Sequence, residues 1–144
     1  MKNSLKTIFS NRAVAFAMLA TISFSACTKK EEDPDYRSTF AGTWTIQTNT
    51  CGSTGVPMVI KSGSSKNTIS IDGNAGSGSC NKTFTASGTT TASNFVIPAY
   101  TVTDNCGLSY TFTTTGTLNG NVLTIVLTAS GAVNGTCTST CVKQ

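Results

Sequence analysis

From residue 43 onward, apolar and polar side chains alternate in short runs separated by Gly, Ser and Asn, the period-two pattern of strands with one buried face. Eight runs are legible. The first, 43–50, sets Trp44 and Ile46 against Thr45 and Gln47, and Cys51-Gly52-Ser53-Thr54-Gly55 turns the chain. The second, 56–61, puts Met58 and Ile60 on one face, and the third, 67–72, does the same with Ile69 and Ile71. A Gly-Ser loop leads to the fourth, 80–87, whose one large apolar group is Phe84. The fifth, 94–102, carries Phe95, Ile97 and Tyr100, with Pro98 marking an edge or a bulge. The sixth, 108–118, alternates Leu108, Tyr110 and Phe112 with Ser109 and Thr111. Asn119-Gly120 then predicts a type I′ hairpin into the seventh, 121–129, with Leu123, Ile125 and Leu127 on one face. Residues 136–142 form the eighth.

Short connections imply antiparallel neighbours, so an all-β, up-and-down meander of about eight strands is expected, closed into a small barrel or flattened into a sandwich. Closure removes exposed edges from a Thr-rich, lightly charged sheet. The inward-facing groups, Trp44 foremost as core anchor, suffice to fill so small a barrel. A filled interior would leave function to the rim.

Ahead of the strands stands a different kind of sequence. Lys2, Lys6 and Arg12 precede a short apolar stretch, 13–24, and Ser25-Ala26 supplies small residues before Cys27, the three parts of an export signal. The stretch is too short to span a bilayer, which takes ~20 apolar residues. Residues 1–26 are therefore expected to be removed, 27–38 to form a tether, and 39–144 to form the β domain.

Phe24-Ser25-Ala26-Cys27 resembles the bacterial lipobox. The resemblance implies a diacylglycerol on the Cys27 sulfur and a mature chain that begins there, held by two or three acyl chains whose buried methylenes each contribute ~0.8 kcal/mol. Lys29-Lys30-Glu31-Glu32-Asp33 directly after it resembles the surface-export signal of Bacteroidota lipoproteins, implying an outer-membrane protein facing the cell exterior. Gly42-Thr43-Trp44, Phe95-Val96-Ile97-Pro98, Gly116-Thr117-Leu118-Asn119-Gly120-Asn121 and Thr136-Cys137-Thr138-Ser139-Thr140 resemble the small lipocalin-like lipoproteins of the same group. Lipocalins pair the tryptophan of Gly-x-Trp with an arginine on a late strand. The cation in that region here is Lys143.

Charge and chemistry narrow the function. Loss of the leader removes three positive charges and takes the formal +4 to +1. No basic patch remains for a phosphate backbone, so nucleic acid is not expected as a partner. The chain has no His, and after the tether its only carboxylates are Asp72 and Asp104. No nucleophile with a base and an orienting group is legible, so the chain reads as a non-enzyme. No cofactor beyond the acyl anchor is implied, and with no Cys-x-x-Cys pair a zinc site is not expected. Asp72, Asn74, Asp104 and Asn105 gather at one end of the meander. They are candidates for a ligand or partner rim, with Asx turns as the plainer reading of the same residues.

With Cys27 lipidated, five cysteines remain in a compartment where disulfides persist. Call the end where the first strand begins the bottom. Counting strands then places Cys51 and Cys137 together at the top, and Cys80 and Cys106 likewise. Cys141 lies four residues beyond Cys137, ~13 Å along an extended strand, too far for the two to pair. It is left free or as an alternative partner of Cys51. Three readings follow: a binding module for a small ligand, glycan or protein at its mouth or membrane-distal loops; a structural or adhesive envelope protein; or an inhibitor of a secreted enzyme.

Overall fold

The computed structural model describes residues 32–144, of which Asp33–Gln144 form one compact unit. Cys27 and the leader lie outside the described residues. A short helix α1 (Arg37–Phe40) leads into eight strands: β1 (Gly42–Asn49), β2 (Pro57–Ser62), β3 (Thr68–Ala75), β4 (Lys82–Thr90), β5 (Asn94–Thr103), β6 (Ser109–Asn119), β7 (Val122–Gly131) and β8 (Gly135–Lys143). A single 3-10 turn, Gly78–Cys80, precedes β4. All neighbours are antiparallel, and β8 pairs back onto β1, closing an up-and-down barrel. The sandwich alternative is set aside.

The β6–β7 turn differs from the one the sequence suggests. Asn119 pairs with Val122, so the central residues are Gly120 and Asn121. Gly120 has φ 59° whereas Asn121 keeps a negative φ, which is the requirement of a type II′ turn with glycine first.

The lower half of the barrel is packed. Trp44, Phe40, Phe95, Ile60, Ile69 and Leu123 are its largest fully buried side chains. Phe40 meets Phe95 edge to face, ring centroids 5.5 Å apart. Gly116 lets Phe95 lie flat against β6, since a Cβ there would stand 2.0 Å from the ring.

Helix α1 closes the bottom, a role that sequence reading misses by assigning 37 and 38 to the tether. Its carbonyls, left over at a helix end, all find donors. Trp44 Nε1 donates to the Phe40 carbonyl at 2.7 Å, and Lys143 Nζ donates to those of Ser38 and Thr39 at 3.2 and 3.4 Å. Lys143 Nζ also sits 5.6 Å from the centroid of the Trp44 ring, a cation–π placement. Arg37 reaches the Gly63 carbonyl, and Asn67 accepts from the Tyr36 N–H, so the β2–β3 turn grips the helix as well.

On the outer wall, threonine hydroxyls pair across strands. Thr48 meets Thr140, Thr101 meets Thr111, and Thr128 meets Thr136, at 2.6 to 3.2 Å. This wall explains the composition: β-branched side chains suit the pleat, and their hydroxyls meet solvent.

Candidate functional site

Above the packed layer the interior is open. A cavity of about 300 Å³ lies under the upper rim, lined by Ile46, Met58, Ile71, Phe84, Ala86, Ile97, Tyr100, Phe112, Ile125, Leu127 and Cys141, with Asn49, Asp72, Asn74, Thr114 and Ser139 as polar groups. The expectation of a filled barrel is thus corrected. The bulk is unevenly shared: aromatic rings fill the bottom, while Gly73, Ala86, Thr114 and Ser139 leave space above. The volume stands at the lower end of small-molecule sites.

One wall of the cavity is aromatic. Phe84 packs on Tyr100 and Phe112 with centroids 5.2 and 5.7 Å apart, and Phe112 stacks on Tyr110 at 6.1 Å. Burial pushes the Tyr100 phenol up to about 12, and its hydroxyl has no hydrogen-bond partner among the described residues. It stays protonated at any physiological pH and can donate to a guest. Cys141 is fully buried on the opposite wall, paired in register with Ile46 and Leu123. Burial raises its thiol pKa, which keeps it protonated and unreactive.

The wall around β3 and β4 is incompletely zipped, and a proline stands at each seam. Gly63 donates to the Thr68 carbonyl, so even-numbered β3 residues aim their backbone groups at β2. That ladder stops after Ile60↔Ile71. Continuing it would pair Val59 with Asp72 and Pro57 with Asn74, and Pro57 has no N–H to give. On the other side β4 and β5 pair only at Thr89↔Val96 and Thr90↔Phe95. The next bonded row would set Ser87 against Pro98, again without a donor. β5 bulges at the same place, its register with β6 shifting between Ile97 and Tyr100.

The upper half of the β3–β4 hairpin therefore pairs only with itself, from Asp72↔Thr85 to Ala75↔Lys82. It forms a flap over the cavity. Phe84 is its inward side chain, resting on Gly73, where a Cβ would meet the ring at 2.5 Å.

Disulfides join Cys51 to Cys137 and Cys80 to Cys106, with Cα separations of 5.4 and 5.0 Å, and leave Cys141 free. The second clamps the flap's tip to the β5–β6 loop.

The four polar rim candidates divide into two kinds. Asp72 and Asn74 lie on β3 rather than in a turn. Lys61 Nζ donates to Asp72 Oδ2 at 2.5 Å, and Thr85 donates to its other oxygen at 2.7 Å. The Lys61 bond, and after it the Thr85 bond, hold this exposed carboxyl below its ordinary pKa.

Asp104 and Asn105, by contrast, are structural. Asp104 is 5% exposed; its Oδ1 accepts the N–H groups of Cys106 and Leu108, both at 2.9 Å, and its Oδ2 accepts the Tyr110 hydroxyl at 3.1 Å. Asn105 donates to the carbonyls of Cys80 and Asn81, stitching the loop to the flap. Asp104 is buried and its oxygens are taken, whereas Asn105 stands exposed beside it. The two aspartates do not converge, and among the described residues no group of three or more His, Cys, Asp or Glu is placed to hold a metal.

Burial opposes ionisation of Asp104, but the hydrogen bonds from Leu108, Cys106 and Tyr110 outweigh it and lower the pKa. A pKa lowered on folding adds stability above the unfolded value, and that stability is lost as pH falls through the folded one. Acid should thus loosen the β5–β6 loop from about pH 4 downward. Chemical unfolding across pH 2 to 6 should show a shallower acid slope in Asp104→Asn than in the parent. Equal slopes would remove Asp104 as a contributor.

No protein-family model matches the chain, and neither does any curated protein or solved structure. The site's geometry carries the functional argument by itself.

Proposed function

We propose that this chain is a membrane-anchored bacterial lipoprotein, displayed on the cell surface through Cys27, whose barrel is a non-catalytic binding module. The upper cavity receives an uncharged apolar or aromatic group. The observation that carries this reading is the cavity itself: about 300 Å³, with an aromatic wall, few polar groups and an unengaged Tyr100 hydroxyl. Such a surface desolvates a ring at little polar cost, and the phenol gives it one orienting hydrogen bond. No clustered acid, base or nucleophile among the described residues favours a reaction there.

Titration with the neutral dye N-phenylnaphthylamine tests the site. Saturable fluorescence enhancement is expected, weakened at least tenfold by Ser139→Phe, whose ring would occupy the space. A dye signal that Ser139→Phe leaves unchanged would place binding elsewhere. The anchor is tested separately: Cys27→Ala should shift the protein from membrane to soluble fraction, and an unchanged membrane fraction would refute lipidation.

A second reading, docking through the rim, is favoured by Val56, Leu108 and Val133. They stand 43 to 55% exposed on three upper loops, at the end opposite α1. An envelope or adhesive role would use these side chains and leave the cavity empty.

A further inference from the structure

The cavity opens sideways beside an unsatisfied strand edge. Even-numbered residues of β3 direct their N–H and C=O groups toward β2, and above Ile71 no strand pairs with them there. Beyond the Ile60↔Ile71 row the backbone groups of Asn74 face the gap, on a stretch of β3 whose other side is fully paired to β4. A second hollow, of about 560 Å³ on the outer side, shares Asp72, Gly73, Asn74 and Phe84 with the cavity. Gly73 has no side chain, so the wall between the two is only backbone thick.

We propose that this edge, Asp72 to Ala75, takes an extended peptide segment as an added strand, with one apolar or aromatic side chain of the peptide entering the cavity past Gly73. The proposal rests on the binding-module reading above and names its ligand class. Three observations choose a peptide over a free lipophile. First, the edge offers alternating donors and acceptors, which only another backbone satisfies along its length. Second, the protein's own neighbouring strand cannot satisfy Asn74, because Pro57, which stands opposite it, has no N–H to give. Edges are usually blunted by charge, proline or a bulge; here the proline blunts β2 and leaves β3 bare. Third, a cavity of about 300 Å³ suits an inserted side chain or two, and side chains of an added strand alternate faces every ~3.3 Å, so one would point inward as its neighbours pointed to solvent. The outer hollow is lined by Thr83, Thr85 and the paired Lys61 and Asp72, so outward neighbours of small polar type fit it.

The test uses the full chain with capped heptapeptides alternating Thr with Phe, Leu or Ser, and with the same peptides N-methylated at every second residue. The Phe or Leu peptide should displace N-phenylnaphthylamine and slow amide exchange at residue 74. N-methylation or the Ser series should weaken this at least tenfold. Asn74→Pro removes an N–H that faces the gap and leaves the β3–β4 ladder intact; it should weaken peptide binding at least tenfold and dye binding by clearly less. Peptides that fail while the dye still binds would overturn the added strand and spare the cavity reading. Failure of both dye and peptides would overturn both. Equal affinity of methylated and parent peptides would show that the edge plays no part. A concentration-dependent dimer abolished by Asn74→Pro would assign the edge to a second copy of this chain and overturn the peptide.

Discussion

Replacing both Cys51 and Cys137 with serine is expected to lower the free energy of unfolding by about 4.5 kcal/mol, the loop-closure value for a bridge of this span. The two residues lie 86 apart in sequence, so the bridge restricts most of the barrel in the unfolded chain. It also sits where the native sheet is least regular. β1 and β8 are the pair that closes the barrel, and their register shifts between Ile46 and Thr48, just below Cys51. Above the shift, the strands pair at Thr48↔Thr140 and Asn49↔Ser139, then through Thr50, which bonds to Thr138 through both backbone and side chain, and last through the bridge. Small domains hold ~5–15 kcal/mol in total, so the loss should be visible as a large drop in the guanidinium midpoint. A change below ~1 kcal/mol would mean that the packed lower half alone closes the barrel. Cys141 should not substitute in the Cys137→Ser single variant: it is buried at the level of Ile46, whereas Cys51 lies beyond the end of β1.

The strand order and both bridges are legible in the sequence because period-two alternation and short turns leave little choice of topology. Counting strands up and down is enough to bring Cys51 to Cys137 and Cys80 to Cys106. The helix Arg37–Phe40 is not legible, since four residues have no period and only Phe40 is apolar. Its fixing contacts come from Trp44, Gly63, Asn67 and Lys143, all distant in sequence except the first.

The cavity escaped for a related reason. A list of inward side chains gives their total volume but not its division between layers, and here the rings gather below while small residues gather above. Pro98 does signal an irregularity, and Pro57 carries the same signal at the start of its strand. Which neighbour each one unzips depends on register, and register appears only when the strands are aligned. Asp104 shows the limit for polar groups: sequence places it in the right loop, but only the fold tells that loop amides consume its oxygens.

Cutting the second bridge, with Cys80 and Cys106 both replaced by serine, is expected to release the flap before the rest of the barrel. Its 26-residue separation corresponds to about 3.5 kcal/mol in the same loop-closure account. The consequence should differ from that of the first bridge because of what remains. Beyond their last paired rows, neither seam of the β3–β4 hairpin has a ladder to fall back on. The flap would then be held by the Phe84 stacking on Tyr100 and Phe112, ~0.5–1.5 kcal/mol per pair, by the exposed Lys61–Asp72 pair, and by the Asn105 hydrogen bonds. That is less than the full ladders holding β6 to β7 over ten rows. Hydrogen exchange should accelerate at residues 72–85 by ~100-fold or more, and by clearly less at 111–118 and 123–129. The dye should also leave the cavity faster in this variant, because Phe84 forms its aromatic lid. Uniform acceleration across all strands would show one cooperative unit rather than a flap, and would shift the route into the cavity to the barrel's upper mouth.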